Sequence, residues 1–276
     1  MNQIKENNHI FFYFFIKLIG DNVKIGDIVT RNSYNNDTIF KIVDIKDDIY
    51  YLSGINMRLC ADSYLEDLKL YNEEITRDED YIKDTISLDR ENYFYICGKI
   101  VQLDSDSSYL KRCSKYYKDN NVMAKGILLS ENEMPLKILD ILNEYNPDIL
   151  VITGHDAYIN KRNINDYKNS KYFKEAIINA RKYEKSQDKL IIIAGGCQSD
   201  YEELIKAGAN FASSPKRINI HALDPAIVAT QMSLSNKNND IDIKKILEST
   251  KYGCDGMGGI ITKGTMYIGY PRWLIE

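Results

Sequence analysis

Residues 189–214 read KLIIIAGGCQSDYEELIKAGANFASS. An aliphatic run stops on Gly195-Gly196-Cys197. A charged segment of helical spacing, DYEELIKAG, follows and is closed by Gly208. A second short apolar run, ANFASS, completes the unit. A continuous apolar strand needs cover on both faces, and a strand–helix–strand of this length is the crossover of a parallel sheet. Upstream the same alternation recurs. YICGKIVQLD is a strand, SSYLKRCSKYYKDN a helix and VMAKGILLS a strand. EMPLKILDILNEYN is a helix, DILVITGHD a strand and SKYFKEAIINARKYEK a helix. Downstream, DPAIVATQMSL and IDIKKILEST read as helices, with Asp224-Pro225 as an N-cap followed by proline at the first helical position. GGIITKGTMYIGYP reads as a β-hairpin. The expected fold class is therefore α/β, a mainly parallel sheet flanked by helices over residues 94–276.

The segment before residue 94 has another character. Over residues 23–70, KIGDIVTRNSY, TIFKIVDIK and IYYLSGINMRLCA are short alternating strands with turn residues between them, as in a small SH3-like β-barrel. Residues 71–93 are charge-dense and read as a linker. Residues 1–22 contain HIFFYFFIKLIG, an apolar run broken by Lys17 and too short for a span of about 20 residues. It reads as an N-terminal extension, the outcome of an upstream start codon, with a membrane-attached segment as the lesser reading.

Composition narrows function. The chain has 276 residues, 44% hydrophobic and 28% charged, with a net charge of −4, so no basic surface invites nucleic acid or anionic membrane. Five cysteines and three histidines form no CxxC pair and no close cluster. Neither a zinc site nor a disulfide framework is expected, and no cofactor is implied.

In a parallel sheet, ligands meet the chain beyond the C-terminal strand ends. Three such ends carry reactive types: TGHDA with Gly154, His155 and Asp156; GGCQS with Gly196 and Cys197; and ASSPKR with Ser213 and Ser214. A thiol needs a base or a positive field to become a thiolate. His155 on the preceding strand end supplies the base, and the helix starting near Asp200 supplies the field. Gly154 and Gly196 leave room for a substrate backbone, and amides near Cys197 and His155 are candidate oxyanion donors. On these residues alone, Cys197 as a small packing thiol and Cys197 as a nucleophile both stand. His221 is a second candidate base, and Asp224 reads first as a helix start.

The cysteine and histidine blocks resemble those of caspase-like cysteine peptidases, with a His–Cys spacing close to the value of about 50 seen in caspases. Gly154-His155-Asp156 stands where His-Gly is usual there. PDILVITGHDAY, NSKYF, AGGCQS, AGANFASSPKRINIHALDP and GGIITKG…IGYP, with IGDIVTRNSY…IFKI near the N-terminus, resemble the YabG family of sporulation-specific proteases. That resemblance implies a caspase-like peptidase with Cys197 and His155 as the catalytic pair. It implies spore coat and other spore proteins as substrates, and action inside the sporulating cell at the developing spore. It also implies cleavage after basic residues, arginine above all. Asp200, Glu202 and Asp224 are the candidate acids for an arginine pocket, with Ser213 and Ser214 lining it. Arg77 and Arg90 in the linker are candidate self-cleavage points. Two other classes fit the residues: a non-catalytic spore assembly protein, and a cysteine-dependent amidase acting on a small molecule.

Overall fold

A computed structural model describes residues 23–76, 94–158 and 167–270. The N-terminal extension and most of the charged linker, Arg77 and Arg90 included, lie outside the described residues. The chain divides into two compact units, Met1–Ile75 and Thr76–Glu276.

In the first unit, β1 (Ile28–Arg31), β2 (Phe40–Lys46), β3 (Ile49–Gly54), β4 (Cys60–Tyr64) and β5 (Leu68–Leu70) form an antiparallel sheet in the order β4-β3-β2-β1-β5. The last strand returns beside the first, as a small SH3-like meander requires. Alternation makes the core: Val29, Phe40, Ile42 and Leu52 are buried together. Val43 follows the alternation onto the exposed side with Lys41, and the register slips there, between Ile42 and Asp44. Asp47 and Asp48 both take positive φ in the tight β2–β3 turn, the backbone that a two-residue hairpin loop demands. Asp67 ties the sheet's far corner to β1. Its carboxylate accepts from Arg31 Nε (3.0 Å), Ser33 N (2.6 Å) and the Ser33 and Ser63 hydroxyls.

In the second unit, β7 (Ile100–Asp104), β8 (Ala124–Leu128), β9 (Ile149–Thr153), β10 (Ile191–Gly195), β11 (Phe211–Ser213) and β12 (Met257–Gly259) form one sheet, ordered β12-β11-β10-β9-β7-β8. All pairings are parallel except β11 with β12. The helices are α1 (Ser107–Asp119), α2 (Met134–Tyr145), α3 (Ser170–Tyr183), α4 (Tyr201–Lys206), α5 (Asp224–Ser233) and α6 (Ile243–Glu248). Ile138, Leu142, Phe173, Ile177 and Leu204 from α2–α4 pack on Leu103, Leu150, Ile152, Ile192 and Ala194 of one sheet face. Helices α1 and α5 cover the other face. Every residue of β7, β9 and β10 is buried, which is why they read as unbroken apolar runs.

Three expectations need correction. YICGKIVQLD is two strands, β6 (Phe94–Ile96) and β7, broken at Cys97–Lys99. There the Gly98 amide donates to Ser233 O (3.1 Å) and the Ser233 hydroxyl donates to Gly98 O (2.7 Å), so α5 takes the hydrogen bonds a continuous strand would use. The C-terminal stretch is no hairpin: β12 joins the main sheet and β13 (Tyr267–Gly269) pairs with β6. Between them Thr265 N and Met266 N donate to Met232 O and Ser235 O at the end of α5. Finally, α5 has its N-cap at Leu223 with no side-chain cap, and Asp224 is already helical.

Candidate active site

The chain runs from β7 outward to β8 and then back across to β9. The ends of β7 and β9 therefore flank the point where strand order reverses, the crevice in which open α/β sheets hold ligands. His155 stands there, two residues beyond β9. Its backbone is fixed on both sides. The His155 N–H donates to Glu131 Oε1 (2.9 Å) from the β8–α2 loop, and Asn169 Nδ2 donates to His155 O (2.7 Å) from the start of α3. The ring lies against Tyr109 of α1, with centroids 5.7 Å apart. Its Nε2 is 3.2 Å from Asp106 Oδ2.

Asp106 caps α1: its Oδ1 accepts from Ser108 N (2.8 Å) and Tyr109 N (3.1 Å), the N-cap geometry that Asp favours. Burial pushes the Asp106 carboxyl up, but the His155 ring and the α1 amides outweigh it and hold it at about 2. The Asp106 amide donates to Asp104 Oδ1 (3.0 Å). Asp104, fully buried, takes on Oδ2 the Thr153 hydroxyl (2.7 Å) and Gln102 Nε2 (3.1 Å). Tyr117 OH in turn donates to Gln102 Oε1 (2.7 Å). A buried polar chain thus runs beneath the crevice and ends under His155.

Cys197 is fully buried two residues past β10. Gly195 pairs with Thr153 across β9 and β10, so the two strand ends lie side by side. Gly195 takes φ +113, which turns the chain where a side chain would be strained. A Cβ on Gly196 would lie 2.3 Å from Gly154 O, so the turns carrying Cys197 and His155 are in backbone contact. The sulfur accepts from Ile220 N (3.4 Å), and its thiol hydrogen donates to Ile220 O (3.8 Å). The Ile220 peptide group thus holds the sulfur in place from both its amide and its carbonyl. The field expected from the following helix is weak. Helix α4 has six residues, and Asp200 caps it through Glu203 N, so a carboxylate offsets its positive end.

The remaining expected residues mostly build the turns. The Gly196 amide donates to Ser199 Oγ (2.8 Å) and is therefore committed internally rather than aimed at an oxyanion. Asp156 accepts from Ala157 N (2.9 Å), Asn169 N (2.8 Å), Ser199 Oγ (3.0 Å) and, in a short bond, Ser170 Oγ. Burial pushes its carboxyl up against those four donors. It fastens the β9 end, the α3 start and the Cys197 turn together. Gly154 faces Glu131 and Ser105. Ser213 donates to Ala194 O (3.4 Å), and Ser214, at φ +64, accepts from Gln198 N (3.0 Å); both are fully buried. Both Asp224 oxygens are used by backbone amides, from His221 (2.9 Å) and Lys251 (3.0 Å). His221 accepts Leu223 N on Nδ1 (3.2 Å), which puts its proton on Nε2. Arg217 places its guanidinium on Glu202 (2.6 and 3.2 Å), with Nε on Tyr167 OH (2.9 Å) and Asp200 at 3.9 Å. Among the described residues no group of metal-ligating side chains clusters, and no helix is long and apolar enough to cross a membrane.

Asp106, Glu131, Asn169, Ser170 and Ser199 were not singled out from the sequence. Only Asp106 carried a usable signal there, as an N-cap just beyond the strand that is β7.

The model of the family described as YabG peptidase U57 matches residues 24–87 and 75–271. The sporulation-specific protease YabG of Bacillus subtilis (strain 168) is 39% identical over 283 residues, covering 90% of this chain and 98% of that protein. A solved cobalamin-binding protein from Desulfitobacterium hafniense is 16% identical, with a TM-score of 0.32, over 48% of this chain and 58% of its own. The family match spans both units and the relative aligns over nearly its whole length: the chain belongs to the YabG peptidase family, U57.

Proposed function

We propose that this peptidase is a sporulation-specific cysteine endopeptidase of caspase-like design, with Cys197 as nucleophile and His155 as its base. The observation that carries the reading is the backbone contact between Gly196 and Gly154, which sets the two residues on adjoining strand ends. The Ile220 peptide group, bonded to the sulfur through its amide and its carbonyl, supports a fixed position for the nucleophile.

In the reaction, His155 takes the thiol proton and the sulfur attacks the scissile carbonyl carbon. The C–N bond breaks, the leaving amine takes the proton from His155, and a thioester to Cys197 remains. Water then attacks the thioester, His155 takes its proton, and the acid product leaves with the cysteine restored. The relative's name supports a protease acting in sporulation; spore proteins, those of the coat included, as substrates and the developing spore as the place of action belong to the same proposal. Cleavage after arginine is part of the same proposal. Glu202 is the most exposed of the candidate acids; both its oxygens are engaged by Arg217, so a substrate guanidinium would bind there by taking the place of Arg217. Asp224 is unsuited, since both its oxygens are spent on amides.

The test is co-expression with an arginine-containing spore coat protein, comparing the native chain with Cys197→Ala and His155→Ala. The proposal expects cleavage by the native chain alone. Cleavage by either variant at the native rate refutes the pair.

A further inference from the structure

We propose that Asp106 is a positioning residue for His155, making the site a Cys197–His155–Asp106 arrangement in which the carboxylate dictates which ring nitrogen faces the thiol. This rests on the Cys197–His155 reading and deepens it. Asp106 comes from the β7–α1 turn, far in sequence from both partners.

The argument begins with the bond itself. An ionised carboxylate only accepts, so the Nε2 atom 3.2 Å from Asp106 Oδ2 must carry a proton. A neutral imidazole has one proton, which makes Nδ1 the accepting nitrogen, the form a general base needs. When His155 takes the thiol proton, the imidazolium forms beside an anion in a half-buried site, where charge pairing is poorly screened.

Asp106 is also held in place. Oδ1 is occupied by the Ser108 and Tyr109 amides, so the carboxylate cannot turn without uncapping α1. Its own amide is anchored on Asp104, which Thr153 and Gln102 lock within the sheet. Among the described residues, the other groups at the imidazole leave Asp106 as its carboxylate partner. Tyr109 offers a ring face, with the Arg112 guanidinium 6.0 Å behind it. Glu131 accepts the His155 main-chain N–H and the Ser105 hydroxyl. Asp156, next in the chain, turns its carboxylate to Ser170 and Ser199. The low value held by the Asp106 carboxyl agrees with a permanent anion there.

Asp106→Asn separates charge from capping, because Asn is as good an N-cap as Asp. Its Oδ1 keeps the α1 amides while its NH₂ meets His155 as a donor and reverses the tautomer. Asp106→Ser keeps a cap and leaves nothing to reach the ring. With only three histidines in the chain, the His155 tautomer and titration can be followed by long-range ¹⁵N–¹H NMR on histidine-labelled full-length protein. That readout requires no turnover.

The expected result is an Nε2–H ring in the native chain. In Asp106→Asn the ring becomes Nδ1–H, His155 titrates at lower pH, and kcat/KM falls on the order of 10²-fold or more, with thermal unfolding little changed. Asp106→Ser should show the lowered titration and a similar loss. An unchanged tautomer, titration and pH–rate profile in both folded variants overturns the proposal while leaving the Cys197–His155 pair intact. Native hydrolysis by His155→Ala overturns both.

Discussion

Gly196→Ala is the sharpest single perturbation of the site. The new methyl carbon would sit 2.3 Å from Gly154 O. An unstrained contact of this kind is about 3.3 Å, so the β9 and β10 turns must part by about 1 Å. The obstacle is a main-chain oxygen between two buried strands, so it cannot rotate aside as a flexible side chain would. Gly196, unlike Gly195, is not in the left-handed region, so the substitution acts through the contact and not through backbone strain. A shift of about 1 Å between reacting groups costs on the order of 10²-fold in rate, or about 2.7 kcal/mol of transition-state stabilisation. The assay is kcat/KM on an arginine-containing peptide, alongside alkylation of Cys197 followed by peptide mass spectrometry. Peptide-level readout is needed because Cys60 and Cys254 are exposed and react as well. A variant that folds, melts as the native chain does and hydrolyses at the native rate would refute the claim that this contact positions the pair.

Three further outcomes follow from the same geometry. Asp156→Ala leaves Ser170, Ser199 and two amides without their acceptor and should destabilise the second unit by about 2–4 kcal/mol, measured by urea unfolding; a loss below about 0.5 kcal/mol would contradict its role as fastener. In the first unit, burial pushes Asp67 up, but its hydrogen bonds from Ser33, Arg31 and Ser63 prevail and hold it at about 2. Its stabilising effect is therefore complete above the unfolded value of about 4 and fades as pH falls toward 2, so hydrogen exchange in β1 and β4 should differ between the native chain and Asp67→Asn at pH 6 and converge near pH 2. Glu202→Gln should weaken the preference for arginine over a neutral side chain about tenfold or more through KM, measured with matched peptides; an unchanged ratio places the specificity acid elsewhere.

How much of this was legible follows from where each signal is stored. Strands β9 and β10 are buried on both faces, so Ile149–Thr153 and Ile191–Gly195 announce themselves as apolar runs that stop at Gly154 and at Gly195-Gly196. The α/β class and the two strand-end residues follow from that. The break between β6 and β7 was invisible because it is imposed by Ser233, far along the chain. The C-terminal strands were misjudged for a similar reason: their partners, β11 and β6, are distant in sequence. The polar residues around the pair stayed hidden because a capping Asp106 or a turn Ser199 looks alike whether it serves a site or a loop. Their meaning comes only when four strand ends converge.

The central claim is that Cys197 forms the acyl intermediate. An arginine-terminated peptidyl chloromethyl ketone tests it directly, with digestion and mass mapping of the labelled chain. The account predicts that labelling of Cys197, and not that of the exposed Cys60 and Cys254, tracks the loss of hydrolysis, and that the Cys197 adduct is strongly reduced in His155→Ala. Complete loss of activity with Cys197 unlabelled, or full labelling of Cys197 with hydrolysis intact, would contradict it.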